Sequence, residues 1–477
     1  MDKMAVDVDA LFQCAATHAA AYRNTIDGRA QRPAVPYQES KAAFAGPTPE
    51  HGTAPGPVID ELIRKAEPGL HAMTGPRFFG WVIGASHPVG VAADWLTSAW
   101  GQNCGNHHAV PAAAAAEEAA ATWLLDILDL PRDCSVGFVT GATVANFVGI
   151  AAARSEVLRR VGWDVEARGL FGAPPIDVII GDDAHTTVFS ALQLLGLGHD
   201  RVVRVVTDNA GRMVADAFAA AMAGCHGPII AIVQAGQINT GAFDPFPALI
   251  DIAHARNAWV HVDGAFGLWA RACPETAGLT GGVDAADSWA TDGHKWLQTP
   301  YDCGYAIVRD SQAHRRAMTA AASYLPVAAD GERDPTHFVP ELSRRARGFA
   351  TWAMIRHLGR QGISGMVARH CGLARRMADK LRGESGIEVV NAVELNQVIV
   401  RFGADQTRER GDALTKRVIE SVQSEATCFA GGARWRDQWV MRLSIIAWPT
   451  GTDDIDRSAQ AIIDAWRRVL AADLRPL

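Results

Sequence analysis

Seven short apolar runs mark the middle of the chain: residues 136–141 (VGFVTG), 176–183 (IDVIIGDD), 201–208 (RVVRVVTD), 228–236 (PIIAIVQAG), 258–264 (AWVHVDG), 287–293 (DSWATDG) and 304–310 (GYAIVRD). Each ends in small or polar residues. Several are apolar at every position rather than at alternate ones, the pattern of strands covered on both faces. The spacers between them mostly carry helical text, so the region reads as a βαβ series: a mostly parallel sheet wrapped by helices. In such sheets ligands sit beyond the carboxyl ends of the strands, and the polar residues cluster there. The clearest helix is 111–131, opened by Pro111, filled with alanine, and carrying Trp123, Leu124, Ile127 and Leu128 at helical spacing.

The flanks read differently. The first 75 residues suggest a helix and then an extended arm through Pro33, Pro36, Pro47, Pro55 and Pro57, of the kind that lies on a second subunit. Beyond the seventh run, helices are expected over 340–357 and 363–381, and strands over 393–402 and 438–448 with a helix between them. A last helix is expected over 453–472. The division that results is an arm over 1–75, a large domain over 76–325, and a mobile loop with a small α+β domain over 326–477.

Composition narrows the functional classes. The chain has 477 residues, 48% of them hydrophobic and 20% charged, enough for a large core. Its formal net charge of −7 leaves no basic footprint for nucleic acid. No apolar stretch is long enough to cross a membrane, and acids occupy the N-terminus where a secretion signal needs basic and then apolar residues. Eight scattered cysteines, with no C-x-x-C pair, point to reduced thiols in a cytoplasm and to no metal site. G-x-S-x-G, P-loop and G-x-G-x-x-G motifs are all missing, so hydrolase and nucleotide readings fail.

The candidate chemistry lies at the strand ends. Asp263 closes the apolar run AWVHVDG, and Lys295 follows the next run, between His294 and Trp296. A buried lysine is a candidate Schiff-base amine, and an aspartate pairing with a pyridinium nitrogen is its usual partner in pyridoxal phosphate enzymes. Equally, Asp263 could cap a turn and Lys295 could be a surface residue. Thr140-Gly141-Ala142-Thr143 follows the first strand and opens a helix, as an anion site would, although the same text makes an ordinary N-cap. His185 follows the second strand, where it could stack on a flat ring or cap a helix.

The order of these elements, together with His294-Lys295-Trp296 and Asp302-Cys303-Gly304, resembles the group II pyridoxal phosphate-dependent amino acid decarboxylases. The aromatic-L-amino-acid and glutamate decarboxylases belong to that family. Arg77-Phe78-Phe79-Gly80, Pro111 with Glu117, residues 240–245 (TGAFDP) and the run from Ser343 share in the resemblance. It implies an α/β architecture of fold type I, with a seven-stranded large domain and a small C-terminal domain. It also implies pyridoxal 5'-phosphate as cofactor, an amino acid substrate and a homodimer with sites at the interface. Residue by residue, Lys295 would bond the cofactor, Asp263 would hold the pyridine nitrogen protonated, Ala265 would pack under the ring and His185 above it. Ala142, Thr143 and His294 would cradle the phosphate, and Asn239 or Thr240 would face the ring hydroxyl. Arg442 would meet the substrate carboxylate, and His107 and His108 would reach the neighbour's pocket.

Two departures bear on the reaction. Val144 stands where the family has a glutamate, and no tyrosine lies between Val327 and Arg345 to serve as the loop proton donor; Pro335 takes its position. His337 is the nearest candidate donor, at the end of a polar lid read over 328–335. α-Decarboxylation is the leading expectation. Transamination, aldol cleavage, oxidative decarboxylation–deamination to an aldehyde, and a non-catalytic cofactor-binding role are the alternatives.

Overall fold

In the computed structural model, residues 6–319 and 332–473 are described. All seven apolar runs are strands of one sheet: β1 (Ser135–Val139), β2 (Asp177–Gly181), β3 (Val203–Val205), β4 (Ile229–Gln234), β5 (Trp259–Asp263), β6 (Ser288–Asp292) and β7 (Gly304–Val308). Their order is β1-β7-β6-β5-β4-β2-β3. The five strands from β3 to β6 run parallel, and β7 is antiparallel to both of its neighbours. The continuous apolar text follows from burial on both faces: β5, β6 and β7 are buried at every position. Trp259 and Trp289 fill the two faces, and each satisfies its indole N–H inside, on Ser288 Oγ and on the Val283 carbonyl.

A second sheet, antiparallel throughout, has the order β10-β11-β9-β8: β8 (Ile387–Val389), β9 (Gln397–Phe402), β10 (Gly431–Trp435) and β11 (Gln438–Ser444). The expected strand over 393–402 begins only at Gln397, because Val393 turns the chain with φ 52°. The helices expected over 340–357 and 363–381 form one run, Arg347–Arg382, broken at Gly359 with φ 61° and ψ 176°. The run starts late because the backbone before it is engaged elsewhere. The Arg344 N–H donates to Asn103 Oδ1 and the Arg344 carbonyl accepts the Cys104 N–H, so this stretch lies against residues 103–104.

The arm is more ordered than expected. It contains α1 (Val8–Asn24), α2 (Tyr37–Phe44) and α3 (Pro55–Ala66). Pro55 and Pro57 were counted as breakers, yet both fall in the first turn of α3, where a missing N–H costs nothing. Next come α4 (Pro88–Trp100), α5 (Pro111–Ile127) and α6 (Ala142–Arg159), which opens right after β1. No helix among the described residues is long and apolar enough to cross a membrane.

Candidate active site

The carboxyl ends of the parallel strands surround a cavity of about 320 Å³, and the candidate residues meet there. Ala142, Thr143, His185, Asp263, Ala265, His294 and Lys295 all line it. Each arrives on its own element. β1 ends in the turn that opens α6, β2 ends just before His185, β5 ends on Asp263, and β6 ends on Asp292, followed by the turn holding His294 and Lys295. Trp296 pins that turn from below, fully buried, with its indole N–H donated to His370 Nδ1 at 3.0 Å. From above, Gly84 lies so close that a Cβ would stand 2.4 Å from the carbonyl oxygens of His294 and Lys295.

Asp263 is 4% exposed. Burial raises its pKa, and His185 and Lys295 pull it back down. His185 caps the helix Thr186–Leu194, one of its two sequence readings, and also lines the cavity. Its Nδ1 accepts the Thr187 N–H at 3.3 Å and lies 2.8 Å from Thr187 Oγ1. Burial lowers its pKa, which favours a neutral ring. His294 is likewise lowered by burial; its Nδ1 accepts the Cys303 N–H at 3.2 Å, which leaves the proton on Nε2.

Asp292 and Tyr301 are among the lining residues that were not picked out from the sequence. Asp292, 2% exposed, takes Lys295 Nζ on Oδ2 at 2.8 Å and the Ala142 N–H on Oδ1 at 2.6 Å. Its three-residue offset from Lys295 was the available signal. Tyr301 packs on His294 with ring centroids 4.3 Å apart, and burial pushes its phenol pKa well up, so it stays protonated.

Other expected residues lie outside the cavity lining. Thr240 donates its hydroxyl to the Ala210 carbonyl, and Asn239 is held through its N–H by Gln237 Oε1. Arg442 lies beside them, 3.4 Å from Asn239 Oδ1, and burial lowers its pKa. His107 bridges Glu332 and Asp334, at 2.9 and 2.7 Å, and His108 is exposed. His337, the expected proton donor, sits in the turn Pro335–Phe338. That turn is drawn to the sheet edge because Phe338 packs on His314 and its carbonyl fills the space left open at Gly137. The proposed lid over 328–335 lies outside the described residues as far as 331.

The cavity fits pyridoxal phosphate on its donor set. It holds one lysine, a buried aspartate, a neutral imidazole, and a helix start of small residues that leaves room for an anion. Gly141 must be small, since a Cβ there would stand 3.0 Å from His294 Cε1 and 3.2 Å from Asp292 Oδ1. A seven-stranded sheet of this order with this site is an α/β protein of fold type I. The comparisons agree. The pyridoxal-dependent decarboxylase conserved domain matches residues 40–403. The aromatic-L-amino-acid decarboxylase of Bacillus atrophaeus is 26% identical over 85% of this chain and 84% of its own length. The 4-hydroxyphenylacetaldehyde synthase of Rhodiola rosea is 24% identical over 87% of this chain and 85% of its own. The crystal structure of Oryza sativa TDC with PLP and tryptamine superposes with a TM-score of 0.91 at 23% identity, covering 98% of this chain and 99% of that one. The chain therefore belongs to the pyridoxal-dependent decarboxylase family. It is a pyridoxal phosphate-dependent amino acid decarboxylase, a carbon–carbon lyase.

Proposed function

We propose that the substrate is an aromatic L-amino acid and that the working form is a cytoplasmic homodimer. The observation that carries the substrate class is the lining around Lys295. Ile238, Phe266 and Tyr301 form its apolar side, and no arginine and no second lysine lines it among the described residues. An acidic side chain would need such a cation. The names of the Bacillus atrophaeus relative and of the tryptamine complex support the same reading.

When bound, pyridoxal phosphate supplies a ring that takes up the electron pair left behind as carbon dioxide departs. The chain's own residues do the rest. Lys295 would hold the cofactor through its amine. Asp263, which lines the same cavity, would keep a proton on the pyridine nitrogen. Neutral His185 and Ala265 would pack against the ring. Ala142 and Thr143 would hold the phosphate at the start of α6. Arg442 has one long hydrogen bond among the described residues and so has donors to spare for the substrate carboxylate. Tyr301 stays protonated in the cavity wall, and His294 beneath it is neutral.

The dimer is supported by large apolar side chains left exposed along one chain: Phe12 on α1, Leu62 on α3, and Trp95, Leu96 and Trp100 on α4. The cytoplasmic location is supported by eight cysteines that all remain free thiols.

Carbon dioxide release from the twenty amino acids by the loaded enzyme tests the substrate class. Tryptophan, tyrosine or phenylalanine is expected to react fastest, and faster release from glutamate or aspartate would refute the assignment. Light scattering on the same preparation is expected to give twice the chain mass.

A further inference from the structure

We propose that Asp292 is an internal counter-anion: its carboxylate occupies the place where the cofactor's phosphate arrives, and the two compete for it. The proposal rests on the reading that residues 141–143 receive that phosphate. α6 begins at Ala142, and its N-cap, Gly141, has no side chain with which to cap the helix. A carboxylate from another element takes that role. Asp292 ends β6 on the far side of the cradle, and its Oδ1 accepts the Ala142 N–H at 2.6 Å. Its second oxygen is also engaged, 2.8 Å from Lys295 Nζ. His294 Nε2, which carries that ring's proton, lies 3.5 Å from Oδ1. The side chain is 2% exposed, so water does little to neutralise it.

An ordinary helix cap does not require this arrangement. Serine or threonine at the cap position would satisfy an N–H of the same first turn, that of the second or third residue, without burying a charge. Here a negative charge sits at the positive end of an 18-residue helix, the location that attracts a phosphate. It also holds the ammonium of the one lysine in the cavity. Asp292 and Lys295 thereby form a balanced pair at the cradle, one carboxylate against one ammonium. A phosphate approaching Ala142 and Thr143 meets a like charge at short range, so it gains those donors only as Asp292 gives up the Ala142 N–H. The same displacement loosens the hold on Lys295, which couples anchoring of the phosphate to release of the amine.

The test is phosphate affinity rather than turnover. The full chain, stripped of pyridoxal phosphate, is titrated calorimetrically with inorganic phosphate at pH 8 and constant ionic strength. Asp292→Asn keeps an oxygen that can accept the Ala142 N–H and removes the charge. It is expected to bind phosphate at least tenfold more tightly than the parent, and adding Thr143→Ala is expected to reverse much of that gain. If Thr143→Ala weakens phosphate binding in the parent while Asp292→Asn leaves affinity unchanged or lowers it, competition is ruled out and Asp292 is a cap only. If Thr143→Ala changes nothing in either background, the phosphate is held elsewhere, and the cradle reading falls together with the proposal. Should Asp292→Asn not fold, Asp292→Ser, which clears the cradle and keeps a hydroxyl for the helix, makes the same comparison.

Discussion

Asp263 and Lys295 sit in one cavity but play different electrostatic parts. Lys295 already has a partner in Asp292, whereas Asp263 is buried with its pKa pushed up and, among the described residues, only the Ala265 N–H, at 3.2 Å, donated to its Oδ1. A buried carboxyl with spare acceptor capacity is poised for a cation brought by the ligand, here the pyridinium N–H. Asp263→Asn is therefore expected to keep the fold and a borohydride-fixable cofactor while losing at least a hundredfold in kcat. Turnover within threefold of the parent would remove Asp263 from the chemistry. Borohydride reduction of the parent is expected to leave the cofactor on the peptide containing Lys295, and a label on any other lysine would displace that assignment. These residues were legible in the sequence because each ends a strand, where topology alone gathers side chains. Asp292 ends a strand too, but it was read as part of the run rather than as chemistry, since its partners are the backbone of α6 and a lysine whose direction no spacing reveals. His337 is the converse case: a residue expected near the chemistry that does not line the cavity. It was favoured for lying near the gap left by a missing tyrosine, and sequence proximity cannot report that Phe338 anchors the turn to β1.

Among the elements, the contact that ties the chain after the large sheet back to α5 is a buried charge cluster. Glu117, fully buried on α5, accepts Arg344 on both oxygens at 2.8 and 2.6 Å and Arg333 at 3.0 Å. Arg344 is itself 7% exposed. Removing the carboxylate leaves a guanidinium buried with no counter-charge, a loss on the order of 3–5 kcal/mol. Glu117→Gln is expected to lower stability by about that amount in urea melts, with the melting slope unchanged. A change below about 1 kcal/mol would mean the cluster is solvated or replaced in solution. The hairpin of β10 and β11 makes a lighter link: Arg436, at its tip, reaches Asp183, two residues before His185. Neither link was legible in advance. β10 begins Gly431-Gly432 with no apolar alternation, and β8 is three residues long, so periodicity had nothing to detect. The large sheet announced itself because both of its faces are buried, and the small sheet did so only where β9 shares that condition and β11 approaches it.

At the scale of the whole molecule, three histidines are held in the interior without a counter-charge. His261, His314 and His370 are fully buried, and burial pushes each from the usual 6.5 down to about 3. All three have neutral partners: His261 sits between Ser288 Oγ and Asn146 Oδ1, His314 between Ser135 Oγ and the Phe338 carbonyl, and His370 receives the Trp296 indole. The folded state thus resists protonation that the unfolded chain accepts. The sign follows from that difference. Stability from neutral imidazoles is complete above the unfolded value near 6.5 and drains away as pH falls toward the folded value. Each histidine costs about 1.4 kcal/mol per pH unit across that window. Three of them acting together give a slope of roughly 4 kcal/mol per unit, large against a typical total stability of about 5–15 kcal/mol. Urea melts of the loaded enzyme between pH 7 and pH 5 should therefore show a steep loss of stability. His261→Gln, which cannot take up a proton, should be less stable at pH 7 yet flatten the slope by about one histidine's share. A variant whose slope matched the parent's would mean that His261 is not excluded from protonation in the folded state.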